Sequence, residues 1–192
     1  MGDSRLDSMR WSTLASRTII QDRWVHLRAD DCRRADGTMI APFYVNEAPD
    51  FVVVIAVTKE GQFVMIYQYR HAIDQVILEV PAGCVEPGES MEQAAARELL
   101  EETGYEAGTL TFLGKMAPNA SCLNNYAWCY LALDVEKKGV QKLDATEEIE
   151  VVLMPKEQMR HALRQGKIQQ AVHVGALYLA LDVLAERALA DE

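Results

Sequence analysis

Residues 83–105 read Gly83-Cys84-Val85-Glu86-Pro87-Gly88-Glu89-Ser90-Met91-Glu92-Gln93-Ala94-Ala95-Ala96-Arg97-Glu98-Leu99-Leu100-Glu101-Glu102-Thr103-Gly104-Tyr105. A loop rich in glycine and acid gives way to a run without glycine or proline that ends at Gly104. Ser90 and Gln93 have the S-x-x-Q spacing of a capping box, in which hydroxyl and amide satisfy two of the unpaired N–H groups of a first helical turn. Gly104 suits the left-handed position just past a helix end. The stretch therefore predicts a loop followed by a helix between Ser90 and Gly104. On that helix Glu98, Glu101 and Glu102 stand at i, i+3 and i+4 and crowd onto one side, while Ala95, Ala96, Leu99 and Leu100 gather on the other. Three glutamates on an arbitrary helix would form a solvated acidic face. Here the preceding loop offers backbone carbonyls and Glu89 as further oxygens, and hard cations such as Mg2+ or Mn2+ take oxygen ligands of this kind.

Outward from this segment the chain reads as an α/β protein. Residues 51–58 and 62–69, rich in Val, Ile, Phe and Tyr, flank Lys59-Glu60-Gly61 and predict a hairpin. Its first strand is apolar at nearly every position, as a strand buried on both faces should be. Further strands are expected at 76–80, 110–116, 127–135 and 148–154. Helices are expected at 155–165, stopped by Gly166, and at about 171–189, with Leu177, Leu181, Leu184 and Ala188 along one stripe. Upstream, residues 23–31 and 38–46 are β-rich and separated by Asp36-Gly37, a good hairpin turn. The polar Glu47-Ala48-Pro49-Asp50 marks a boundary, giving an N-terminal β extension at 1–49 and a main domain at 50–192.

The composition bounds the function classes. With 192 residues, 49% hydrophobic and 25% charged, the chain has the make-up of a soluble globular protein, and no apolar tract approaches the about eighteen residues that span a bilayer. A formal charge of −10 argues against nucleic acid or anionic lipid as partners, since a polyanion needs a basic face. An acidic chain still binds a small phosphate compound when a cation supplies the positive charge. Cys32, Cys84, Cys122 and Cys129 show neither zinc-ligand spacing nor a disulfide framework, so a reducing cytoplasm is the simplest setting. Residues 1–20 carry Arg5, Asp7 and Arg10 without an apolar run and do not read as a secretory leader.

Gly83, Glu89, Arg97-Glu98-Leu99, Glu101-Glu102 and Gly104 match the fixed positions of the Nudix box, G-x5-E-x7-R-E-U-x-E-E-x-G-U, where U is a bulky aliphatic residue. Only Tyr105 departs, at the last position. The strand pattern from about 50 to 184 also resembles the Nudix α/β/α sandwich with its mixed sheet. The resemblance implies Glu98 and Glu102 as main metal ligands, Glu101 as an assisting ligand and the Ala82 carbonyl as another. It implies Glu89 as a direct or water-mediated ligand and Arg97 as the residue that pairs with a carboxylate and orients the loop.

Three features outside the box resemble the ADP-ribose and nucleoside-diphosphate-sugar pyrophosphatases of that family. Gln68-Tyr69-Arg70 followed by Glu79-Val80-Pro81-Ala82-Gly83 is similar to their Q-[YF]-R…E-x-P-A-G pattern, which implies Arg70 on the diphosphate or terminal sugar and Glu79 on the nucleoside side. The N-terminal extension with Arg23-Trp24-Val25 is similar to one that forms an intertwined homodimer and stacks a base on an aromatic residue, which implies Trp24. Asp144-Ala145-Thr146-Glu147-Glu148-Ile149-Glu150 is similar to the loop that supplies the base, with Glu147 aligning best and Glu148 next. Against a narrow ADP-ribose reading, Pro118 and the run 121–126 do not closely copy the usual pattern, so GDP-mannose or a uridine diphosphate sugar stays open. His71, His161 and His173 read as ordinary surface or core residues. The competing functions are a sanitiser of damaged nucleoside triphosphates, disfavoured by the extension, and a non-catalytic nucleotide sensor, disfavoured by the complete set of box glutamates.

Overall fold

A computed structural model of the chain describes residues 4–190, which divide into two compact units. The first comprises the chain up to Pro49 together with 117–125. After a short helix α1 (Ser4–Asp7), strands β1 (Ser12–Gln21), β2 (His26–Arg33) and β3 (Met39–Glu47) form an antiparallel sheet in that order. The β2–β3 turn is the expected one: Gly37 has φ +87° and the Asp36 carboxylate accepts from Thr38 N–H at 2.9 Å. Two corrections follow. Strand β1 escapes sequence reading because all ten of its residues are exposed and no alternation marks it. Residues 23–25 are not strand, because the Asp22 carboxylate accepts from the N–H groups of Trp24 and Val25, at 2.7 and 2.9 Å, and folds them into the β1–β2 turn.

The second unit, 50–116 with 126–190, holds the main sheet. Its strands are β4 (Phe51–Thr58), β5 (Gln62–Arg70), β6 (Gln75–Glu79), β7 (Ala82–Cys84), β8 (Tyr105–Glu106), β9 (Thr109–Met116), β10 (Ala127–Lys137) and β11 (Ile149–Pro155). Along its spine the order is β11-β5-β4-β10-β8. Only the β4–β10 pair is parallel, so the sheet is mixed. Val52 to Ala56 of β4 are each at most 1% exposed, and alternate side chains go to opposite layers. Val53, Ile55 and Val57 pack with Met159 and Leu163 of α3 (Lys156–Arg164) and Leu177 of α4 (Ala171–Ala190). Val52, Val54 and Ala56 pack with Ala94, Ala95 and Leu99 of α2 (Met91–Thr103). The result is the expected α/β/α sandwich, in which each fully buried Val, Ile or Leu contributes roughly 1.5–3 kcal/mol.

Helix α2 begins and ends as its sequence dictates. Gln93 N–H donates to Ser90 Oγ at 3.2 Å and Ser90 N–H to Gln93 Oε1 at 2.9 Å. Gly104 closes it at φ +75°, where a Cβ would lie 2.5 Å from the Gly139 carbonyl oxygen. The apolar face is shifted by one residue from expectation: Ala94 is buried in place of Ala96, which is exposed. We expect Ser90→Ala to cost about 1 kcal/mol, read as a lower urea midpoint at unchanged denaturant slope; an unchanged midpoint would show that the box does not limit stability.

Candidate active site

Helix α2 turns its Glu98 and Glu102 inward, leaving them 8% and 3% exposed. Burial pushes both carboxyls up, Glu102 to about 8; the charges of Glu101 and Glu147 add to the effect on Glu98, and those of Glu98 and Glu147 to the effect on Glu102. Two compensations hold them. Ala82 N–H donates to Glu102 Oε2 at 2.9 Å. Arg97 Nη1 donates to Glu98 at 2.8 Å and to Glu101 at 3.0 Å. The same guanidinium forks onto Glu89, with Nε and Nη2 at 2.9 and 3.0 Å, and Nη2 also reaches the Cys84 carbonyl at 3.0 Å, so Arg97 ties loop to helix. Its partner Glu89 is held below the usual carboxylate range by Arg97.

Strand β7 brings the loop against this helix by pairing with β4, Val52 opposite Gly83 and Val53 opposite Ala82. A Cβ on Gly83 would lie 2.1–2.3 Å from the carboxyl atoms of Glu98. A methyl there would displace the flexible end of Glu98, so the glycine leaves the space in which that carboxyl sits. Among the described residues no three acid, imidazole or thiol groups converge on one point. The acids form a line and not a closed cage. That suits a small hard cation which keeps several ligand positions for water and substrate oxygens, and the buried carboxyls, whose repulsion Arg97 and Arg70 offset only in part, have the donor chemistry for it.

The carbonyls at the end of α2 have no helical partners, and the loop 138–148 supplies them. Lys138 and Gly139 N–H donate to Gly104 O at 2.9 and 3.1 Å, Lys142 N–H to Glu101 O at 2.8 Å, and Gln141 Nε2 to Glu102 O at 2.7 Å. This tether delivers Glu147, whose Oε2 accepts from Asp144 N–H at 3.0 Å. A cavity of about 560 Å3 collects Ala82, Gly83, Arg97, Glu98, Glu101 and Glu147 with Arg70, within the size range of small-molecule sites.

Arg70, at the end of β5, lies in that cavity and is fixed by Glu79: Nε is 3.1 Å from both carboxylate oxygens and Nη2 2.6 Å from Oε2. Glu79 is fully buried and its carboxylate holds Arg70; like Glu102 and Glu89 it stands behind the cavity wall and not in it. Glu148 is exposed and outside the cavity wall, leaving Glu147 as the loop glutamate that reaches it. Trp24 belongs to the N-terminal unit, 69% exposed, with the Arg23 guanidinium 4.3 Å from its ring centroid. Sequence reading missed Phe51, Lys142, Gln170 and His173 in the wall. No motif marks them, and only the fold brings these four positions together.

The chain's similarity to known proteins agrees with this geometry. The NUDIX domain pattern matches residues 48–172, and the pattern of the nucleoside diphosphate sugar hydrolase N-terminal domain matches residues 11–46. The chain belongs to the Nudix hydrolase family. Among its relatives is an ADP-ribose pyrophosphatase of Bacillus subtilis, 32% identical across 77% of this chain and 82% of that protein. The methanol dehydrogenase activator of Bacillus methanolicus is also 32% identical, across 88% and 92% of the two chains. The ADP compounds hydrolase NudE of Escherichia coli is 30% identical across 87% and 89%. A crystal structure of an ADP compounds hydrolase superimposes with a TM-score of 0.83 over 93% of this chain and 96% of that one, at 24% identity, which establishes the shared fold. Nudix hydrolases use divalent metals, and the line of acids on α2 is where this chain would hold one.

Two outcomes are expected. Gly83→Ala should push the Glu98 carboxyl aside and weaken Mn2+ binding about 10- to 100-fold, measured calorimetrically; unchanged affinity would remove Glu98 from the ligand set. His173 is 3% exposed, and burial together with the Arg70 charge lowers its pKa from 6.5 to about 3. Between those values the unfolded chain binds the extra proton, so stability is full above about pH 6.5 and declines as pH falls toward 3. Denaturation curves from about pH 7 to 4 should show a shallower decline in His173→Asn than in the wild type; parallel curves would show that the imidazole contributes nothing.

Proposed function

We propose that the chain hydrolyses the diphosphate bond of ADP-ribose or a related nucleoside diphosphate sugar, with Mg2+ as the cofactor and Mn2+ as a substitute, giving a nucleoside monophosphate and a sugar phosphate. The observation that carries this reading is one cavity lined by the carboxylates of Glu98, Glu101 and Glu147 together with an arginine, Arg70, clamped by a fully buried glutamate. Carboxylates recruit the cation and the guanidinium takes a phosphate oxygen. The names of the relatives, ADP-ribose pyrophosphatase and ADP compounds hydrolase, support the substrate class.

In this reading Glu98, Glu102, Glu89 and the Ala82 carbonyl hold the cation, with Glu101 assisting. When bound, the cation supplies charge neutralisation and polarisation of the phosphoryl group. Arg97 keeps the loop and helix in register, and Arg70 orients the diphosphate. Water attacks one phosphorus, the bridging P–O bond breaks, and Glu147 accepts the proton of the attacking water, with Glu148 as its neighbour in the same loop. Trp24 stacks a base. The N-terminal sheet forms a homodimer, a reading supported by β1, whose Leu14, Ile19 and Ile20 are 50%, 44% and 52% exposed on a strand with one unpaired edge. A cytoplasmic location fits four free thiols and the lack of any described helix long and apolar enough to cross a membrane.

The test is product chromatography on ADP-ribose, GDP-mannose, UDP-glucose, diadenosine polyphosphates and 8-oxo-dGTP, with Mg2+ and with chelator. Cleavage of ADP-ribose or one sugar nucleotide, abolished by chelator and reduced about 1000-fold in Glu98→Gln, equivalent to about 4 kcal/mol of barrier, is the expected result. Cleavage of 8-oxo-dGTP alone would move the chain to nucleotide sanitising, and tight binding without cleavage to sensing.

A further inference from the structure

The wall of the cavity facing the acids contains one buried group that the reaction as described leaves without a task. His173 sits in the first turn of α4, is 3% exposed, and lines the cavity with Gln170 one turn earlier and with Arg70. Its Nδ1 accepts from Val80 N–H at 3.5 Å, a long bond that nonetheless gives this buried backbone donor an imidazole acceptor. A neutral imidazole that accepts at Nδ1 carries its proton on Nε2. The ring is neutral, since its pKa stands at about 3. Nε2 has no protein partner among the described residues, yet it is not a sealed orphan: the buried side-chain atoms lacking a partner are the amide oxygens of Asn46 and Asn125. The N–H therefore opens into the space that His173 lines.

Building on the proposed diphosphate hydrolysis, we infer that His173 is a substrate-binding residue whose Nε2–H donates a hydrogen bond to a non-bridging oxygen of the diphosphate beside Arg70. The division of labour is chemical. Arg70 brings a charge, fixed by Glu79, and His173 brings a neutral donor that needs no counterion in a cavity already crowded with acids. The long bond to Val80 sets the ring's tautomer and, through Val80, couples it to the β6–β7 turn that leads into Ala82 and Gly83 of β7. His173 holds substrate and moves no proton, so its loss appears in KM.

The experiment uses the full chain labelled with 15N-histidine. The four histidines give resonances among which that of His173 is identified by its absence from His173→Asn. The expected spectrum is that of an Nε2–H tautomer, with Nε2 and its proton shifting when an ADP-ribose analogue bearing a methylene bridge between the phosphorus atoms is added. In kinetics, His173→Asn, whose amide oxygen can replace Nδ1 toward Val80, should raise KM about tenfold, the equivalent of about 1.4 kcal/mol, with kcat changed less than about twofold. His173→Gln, which extends an N–H toward the position of Nε2, should recover part of the loss. An Nδ1–H tautomer, a resonance unmoved by the analogue, or an unchanged KM in His173→Asn would overturn the assignment. A wild type that cleaves no diphosphate would refute the proposed hydrolysis, while the tautomer and the shift would still decide the role of His173.

Discussion

Glu98 and Glu102 lie on successive turns of one helix and are nearly removed from water, an arrangement that costs free energy in any protein unless something offsets it. The rest of the main unit is organised around that cost. Arg97, one residue earlier, turns its guanidinium back over Glu98, Glu101 and Glu89. A backbone N–H from β7 meets Glu102. Gly83 leaves the space that the Glu98 carboxyl fills. What remains uncompensated is a local excess of negative charge in a cavity, and that excess is what makes a divalent cation a favourable occupant.

The helix can present its acids because its other side is secured. Ala94, Ala95 and Leu99 lock it on one face of β4, while α3 and α4 cover the opposite face. Small side chains at 94 and 95 let α2 lie close to the sheet, which is why β7, itself paired with β4, meets the helix at Gly83. The helix end contributes again: its free carbonyls hold the loop that carries Glu147. Ordinary backbone satisfaction at a helix terminus thus sets the position of a candidate proton acceptor.

Much of this was legible in the residues. The capping box, the glycine stop and the i, i+3, i+4 glutamates specify α2 locally, and the uninterrupted apolar run 51–58 specifies a strand buried on both faces, so the sandwich follows from short-range patterns. The elements that escaped are those whose determinants are not local. Strand β1 is wholly exposed and carries no period. Strand β7 is three residues long and exists because β4 lies beside it. Residues 23–25 look like strand by composition, but the Asp22 side chain competes successfully for their backbone.

The sequence by itself determined the family, the acid line and its arginine, because metal-ligand spacing on a helix is a property of consecutive turns. Tertiary structure decided which glutamates face inward, that Glu79 is the partner of Arg70, and that Glu147 and not Glu148 lies in the cavity wall. It also placed His173, distant in the chain from every motif, beside Arg70. The physical reason is the same in each case: burial and partnership depend on what a neighbouring strand or helix brings within hydrogen-bond reach, and no periodicity in the chain encodes that.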